Sequence, residues 1–153
     1  MAELKERLRT DLTASIKARD ELRSSTLRMV LTSITNAEVA GKQATQLTDE
    51  QVLDVLATEG KRRREAAAAF DQGDRAEMAD KERAEAAVIA EYLPAQLSAD
   101  EIAELVRAAV ESTGAAGAGM AAMGKVMGVV QPQTRGRADG KVVAAEVKRQ
   151  LGG

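Results

Sequence analysis

The chain has 153 residues, 22 basic and 24 acidic, for a formal charge of −2, enough for one medium domain or two small ones with modest cores. It has no cysteine and no histidine, which excludes disulfides, thiolate nucleophiles and thiolate metal sites and removes the commonest general base and metal ligand. With two prolines, one tyrosine, one phenylalanine and no tryptophan, an all-α fold is expected, with cores of Leu, Val, Ile, Met and Ala.

The amino end, Met1 to Lys5, is charged and amphipathic rather than signal-like, and no apolar run reaches membrane length. A cytoplasmic protein without membrane contact is therefore expected. Leu4, Leu8, Leu12 and Ile16 recur every fourth residue and predict a first helix ending near Arg19 or Asp20. Leu27, Val30, Leu31, Ile34 and Ala37 predict a second, closed by Gly41.

Thr48 and Gln51 form a capping box that opens a third helix, with Asp49 and Glu50 in its first turn. Its stripe of Val52, Val55, Leu56, Ala66, Ala67 and Phe70 is interrupted by Glu59 and Arg63, and a fourth helix places Glu82 and Glu85 in line with Met78, Ile89 and Tyr92. Glu59, Arg63, Glu82 and Glu85 read as a structural ion network, because charges on a core-facing stripe are usually paired. A metal–carboxylate site is the sharper alternative, but bundle sites of that kind pair glutamate with histidine, so no metal and no cofactor are expected. The run from Lys61 to Arg64 points around its helix and reads as a solvated collar rather than a phosphate groove.

Tyr92-Leu93-Pro94 ends the fourth helix and sets a domain boundary, giving an amino-terminal domain over 1–94 of about four helices and a carboxy-terminal three-helix bundle over 95–153. Ser98 and Glu101 cap a fifth helix carrying Ile102, Leu105, Val106, Ala109 and Val110. Gly114 to Gly119 serves as a connector. A sixth helix carries Met120, Met123, Met127 and Val130 up to a break at Pro132, with Gly124 and Gly128 alongside. The methionines read first as core filling and the glycines as points of close helix approach; the functional alternative is a docking face of Met120, Met123 and Met127. Asp139 caps a seventh helix through Val143, Val147 and Leu151. Residues 119–153 hold six basic and two acidic side chains, a local +4 in an otherwise acidic chain. Walker, nucleophile-elbow and dinucleotide motifs are absent.

Three segments together carry a resemblance: Tyr92-Leu93-Pro94 with Gln96-Leu97-Ser98, then Met123-Gly124-Lys125-Val126-Met127, then Gly136-Arg137-Ala138-Asp139-Gly140-Lys141. Over nearly the whole chain the sequence resembles the GatB/YqeY family. Leu27-Arg28-Met29, and Gly73 with Arg75, are also similar to family members. The resemblance implies a helical amino-terminal domain followed by a three-helix domain, and a relationship with the tail of the B subunit of the aspartyl/glutamyl-tRNA amidotransferase. In that enzyme the tail holds tRNA while a separate domain performs ATP-dependent amidation. No counterpart of the catalytic domain is expected in this chain, so carbon–nitrogen ligation with glutamine as amido donor is read as a label inherited from the larger relative. The leading expectation is a noncatalytic tRNA-binding or amidotransferase-associated module. Lys125, Arg135, Arg137 and Lys141 would contact phosphates, Gly136 and Gly140 would let backbone N–H groups approach, and the seventh helix would add its dipole. The alternative is a protein-interaction module using the methionine face to hold a partner protein or amidotransferase subunit.

Overall fold

The computed structural model describes residues 2–152. The fold is all-α: α1 (Glu3–Lys17), α2 (Glu21–Val39), α3 (Asp49–Gln72), α4 (Ala76–Ala90), α5 (Ala99–Ser112), a 3₁₀ turn (Gly119–Ala122), α6 (Met123–Thr134) and α7 (Gly140–Gln150), with no strand among the described residues. These elements form two compact units, Met1–Leu93 and Pro94–Gly153. Each has its own apolar core.

In the first unit, Leu8, Leu27, Val30, Ile34, Val52, Leu56, Val88, Ile89 and Tyr92 form the core. The stripe on α1 does not bury evenly. Leu8 is inaccessible, Leu4 and Leu12 are half-buried, and Ile16 is 48% exposed. A step of four residues overshoots a helical turn by about 40°, so three steps rotate the last apolar position away from the first. Lys5 and Ser15 take the buried positions instead, and each has a polar partner: Lys5 Nζ lies 2.6 Å from Glu38 Oε1, and the Ser15 and Ser24 hydroxyls share a hydrogen bond of 2.7 Å. Glu38 Oε2 also accepts from the Leu47 backbone N–H at 3.1 Å, so one carboxylate joins α1, α2 and the segment leading to α3.

Helix ends follow local chemistry. The Thr48 and Ser98 capping boxes are both complete, and Asp20 caps α2 by accepting from Arg23 N–H at 3.1 Å. α1 ends at Lys17, one residue past the last position of its apolar stripe and two short of the expected end at Arg19, in a Schellman motif: Asp20 N–H donates to Ser15 C=O, Arg19 N–H donates to Ile16 C=O, and Arg19 adopts φ 59°. α3 ends the same way, with Arg75 N–H donating to Phe70 C=O around Asp74 at φ 57°. Glycine is the usual occupant of that left-handed position.

The ion network of α3 and α4 is built around Arg63, which is buried. Its Nη1 lies 2.5 Å from Glu59 Oε2, and its Nε lies 3.4 Å from Glu85 Oε2 without hydrogen-bond geometry. Ser33 Oγ and Arg62 Nη1 donate to Glu59 Oε1 at 2.9 and 3.2 Å. Glu82 is a correction to the sequence reading: it is half-buried and makes no ion pair among the described residues. It sits three residues, one helical turn, before Glu85, and the network closes on the later turn. The basic run around Arg63 is accordingly not uniform, since Arg62 and Arg64 are exposed while Arg63 is interior.

Tyr92 closes the unit. Its hydroxyl donates to Asp11 Oδ2 at 2.5 Å and the Arg7 guanidinium lies 4.7 Å from its ring centroid. Burial first, and then the bond to the Asp11 carboxylate, push the phenol well above its ordinary pKa.

The second unit packs α5, α6 and α7 around Ile102, Val106, Ala109, Val110, Val126, Val130, Val143, Val147 and Leu151. Three expectations for α6 are corrected. The helix runs through Pro132 to Thr134 rather than breaking there; the carbonyl that the proline leaves without a donor belongs to Gly128, an exposed residue where water can serve it. The buried stripe is Ala122, Val126 and Val130, with Met123 and Met127 half-buried against its edge and Met120 43% exposed. A Cβ added at Gly124 or Gly128 would meet nothing within 4 Å, so these glycines are not points of close helix approach.

Two measurements test these assignments. Replacing Arg63 with Met leaves the buried Glu85 without its cation and Glu59 with only the exposed Arg62, and should cost about 3–5 kcal/mol in urea denaturation, whereas Glu82→Gln should stay within about 0.5 kcal/mol. The Lys5 ammonium, helped by the Leu47 N–H, holds the Glu38 carboxyl below its usual range. Its contribution is therefore complete above the ordinary glutamate pKa and is lost as pH falls through the lowered value. Thermal melts from neutral to acidic pH should show a smaller acid-induced loss for Glu38→Gln than for the parent chain.

Candidate nucleic-acid interface

The segment after Pro94 lacks regular structure until α5, yet it is held tightly. Leu97 N–H donates to Arg137 C=O at 2.8 Å, Gln96 Nε2 donates to Gly136 C=O at 2.9 Å and to Pro94 C=O at 3.0 Å, and Arg137 Nε donates to Ala95 C=O at 3.2 Å. The loop between α6 and α7 turns on itself beneath this clasp: Arg137 and Ala138 N–H both donate to Thr134 C=O. Gly136 makes that turn at φ 73° and is buried, a conformation in which a Cβ would be strained. Residues about forty positions apart thus satisfy each other's backbone groups.

Of the phosphate-contacting residues expected from the sequence, the structure separates two kinds. Gly136 does not present itself to a ligand: it is interior, and its carbonyl receives the Gln96 amide. Arg137 is half-buried, its guanidinium directed to Ala95, and its charge acts on Glu101. The Ser98 N–H first and the Ser98 hydroxyl second hold the Glu101 carboxyl below its usual range, with Arg137 adding to the effect. Lys125, Arg135, Gly140 and Lys141 are exposed. Lys125 lies in the first turn of α6, Arg135 directly follows that helix, and Gly140 and Lys141 open α7. The Asp139 cap takes up the Lys141 N–H at 3.0 Å, so the carboxylate already occupies part of the α7 amino terminus. Lys148 is also exposed, whereas Arg149 is committed to Glu146. Arg149 and then Gln150 lower the Glu146 carboxyl to about 2. Gln150 Nε2 donates in addition to Ala103 C=O at 2.8 Å and so joins α7 to α5.

The two sides of the clasp are the two sequence segments, Pro94 to Ser98 and Gly136 to Lys141, that stand out along the chain. A match to the Yqey-like protein family covers residues 5–151. The chain belongs to the YqeY-like family. This family is related to the tail domain of the amidotransferase B subunit. Comparison with curated proteins finds no match. For this YqeY-like chain the clasp gives Gln96 a role that its sequence position did not reveal: a glutamine two residues after a proline carries no sign of a partner in another loop. Among the described residues no group of three or more acidic side chains could hold a metal ion, and no helix is long and apolar enough to cross a membrane.

Hydrogen exchange of the α5 and α7 amides should report the clasp directly. Gln96→Ala and Arg137→Met are each expected to lower the opening free energy of this unit by about 1–2 kcal/mol, through carbonyls left without donors. Lys125→Gln and Lys141→Gln should change it by no more than about 0.5 kcal/mol.

Proposed function

We propose that this protein is a noncatalytic tRNA-binding or amidotransferase-associated module whose carboxy-terminal unit engages phosphates. The observation that carries the reading is the solvent-facing set Lys125, Arg135 and Lys141, joined by Lys148, on a segment of net +4. The family's relationship to the amidotransferase tail supports the same direction. Both aromatic residues, Phe70 and Tyr92, belong to the other unit. Recognition through base stacking is therefore not proposed for this surface; backbone and shape are. Gly136 and Arg137 contribute by holding the loop that carries their neighbours.

A second reading rests on the outer face of α6. Met120, in the 3₁₀ turn that leads into α6, is 43% exposed, and Met123 and Met127 on α6 are half-buried and keep part of their surface in solvent. Such a face suits protein docking, including an amidotransferase subunit. Carbon–nitrogen ligation with glutamine as donor is a third reading; ammonia release from glutamine by the purified chain would show its donor half-reaction and overturn the noncatalytic reading, and amide formation on an acceptor would be needed to establish ligation.

Filter binding of charged and uncharged tRNA at several salt concentrations separates the first two. Three or four phosphate contacts predict a slope of log K against log salt of roughly −2 to −4. Lys125→Glu combined with Lys141→Glu should flatten that slope and weaken binding about tenfold or more, while Arg62→Glu with Arg64→Glu should change it less. Absence of binding at low salt, together with partners that survive nuclease in a pull-down, would replace the tRNA reading with the docking one.

A further inference from the structure

The corner where α1 turns into α2 carries a depression of about 480 Å³ lined by Ile16, Arg19, Asp20, Glu21, Ser24, Ser25 and Arg28. Two guanidinium groups border it. Neither Arg19 nor Arg28 makes a side-chain ion pair or hydrogen bond among the described residues. Arg9, Arg23 and Arg83 of the same unit each hold a carboxylate within 3.0 Å. Arg19 is moreover placed at the left-handed position of the α1 ending, where glycine is the usual choice and the arginine side chain has no intramolecular use. Arg28 belongs to the Leu27-Arg28-Met29 segment, in which Leu27 is core and the arginine faces solvent.

Of the two carboxylates that line the corner, Asp20 is engaged away from this pair and Glu21 is not. Asp20 is directed into the first turn of α2, its Oδ1 accepting from Arg23 N–H and its Oδ2 lying 3.7 Å from Arg23 Nε. Among the described residues, Glu21 is the exposed carboxylate there that makes no ion pair. Residues 17–28 hold Lys17, Arg19, Arg23 and Arg28 against Asp20 and Glu21, a local +2, within residues 1–93 that carry 15 basic and 18 acidic side chains. Ser24 is part of the rigid floor, because its hydroxyl is shared with Ser15. Ser25 Oγ donates to Leu22 C=O and keeps lone pairs that can accept a hydrogen bond. Ile16, 48% exposed, supplies an apolar wall beside the arginines.

We propose that this corner binds a nucleotide phosphate, either free or within an RNA strand. Arg19 and Arg28 hold the phosphate oxygens, Ser25 accepts from a ribose hydroxyl, and the base lies against Ile16. Planar guanidinium forks match phosphate oxygens, and the apolar wall favours a nucleoside over an inorganic anion. The corner belongs to the amino-terminal unit and stands independently of the tRNA reading placed on Lys125 and Lys141, so each can fail without the other.

Amide NMR spectra of the full chain, titrated with AMP, pyrophosphate, adenosine and a short single-stranded oligoribonucleotide, test the site. AMP should produce saturable shifts in the amides of residues 19–28; adenosine at the same concentration should not. Arg19→Gly, which suits the left-handed backbone, and Arg28→Gln should each weaken AMP binding about tenfold, while Arg19→Gly melts at or above the parent temperature and Arg28→Lys retains part of the affinity. Shifts of the same amides by the oligoribonucleotide would place the phosphate in a strand, and their absence beside AMP binding would assign a free nucleotide. The proposal is overturned by any of three results: no saturable AMP shift at millimolar concentration, shifts unchanged in the two loss-of-arginine variants, or pyrophosphate binding without AMP binding.

Discussion

Arg63, buried between the carboxylates of Glu59 and Glu85, is the interaction on which the amino-terminal unit most depends. An interior guanidinium is tolerated only with its counter-charges in place, so it constrains the relative placement of α3 and α4 more narrowly than apolar contact does. The core of that unit is built of aliphatic side chains with Tyr92 as its buried aromatic. Aliphatic packing is weakly directional, and other buried polar links share the work of setting register: Lys5 with Glu38, Ser15 with Ser24, and Tyr92 with Asp11. Each connects elements that their apolar stripes alone would hold together without specifying one orientation.

The carboxy-terminal unit reaches the same end by different means. Its core is almost wholly valine, isoleucine and alanine, and its directional contacts include the hydrogen bonds between residues 95–97 and 136–137 and that from Gln150 to Ala103. These bonds change the meaning of the glycine–arginine loop. A sequence of Gly, Arg and Lys leading to a helix amino terminus has the composition of a phosphate cradle. In three dimensions its glycine is interior, its arginine faces a backbone carbonyl, and its aspartate already caps the helix. The exposed lysines Lys125 and Lys141 lie outside the clasp. The loop therefore serves recognition by presenting its neighbours on a fixed frame, which is the role a rigid scaffold has beneath a binding surface.

The same division runs through the arginines. Many are neutralised by a carboxylate three or four residues away on their own helix, as Arg9 is by Glu6, Arg107 by Glu104 and Glu111, and Arg149 by Glu146. Such pairs are worth little in stability at the surface, but they remove charge from the pool available to a ligand. Exposed cations without that provision, among them Lys125, Lys141 and Lys148 in one unit and Lys17, Arg19, Arg28, Lys42 and Arg64 in the other, are where an external anion meets less competition.

What the sequence determined by itself was local. The helices of the described residues, both capping boxes, the Asp139 cap and the charged interruption of α3 were legible because they arise from interactions within four residues: helical period, side-chain to backbone caps, and neighbouring turns. Tertiary structure alone decided which candidates meet. It excluded Glu82 from the ion network and kept Glu85, made Val126 rather than the methionines the centre of the α6 stripe, and joined Gln96 to a loop forty residues away. One turn of a helix separates Glu82 from Glu85, and a sequence pattern broad enough to include both cannot say which one faces an arginine on another helix. Spacing along the chain reports the direction of a side chain on its own helix; the identity of its partner depends on how that helix is rotated against the next.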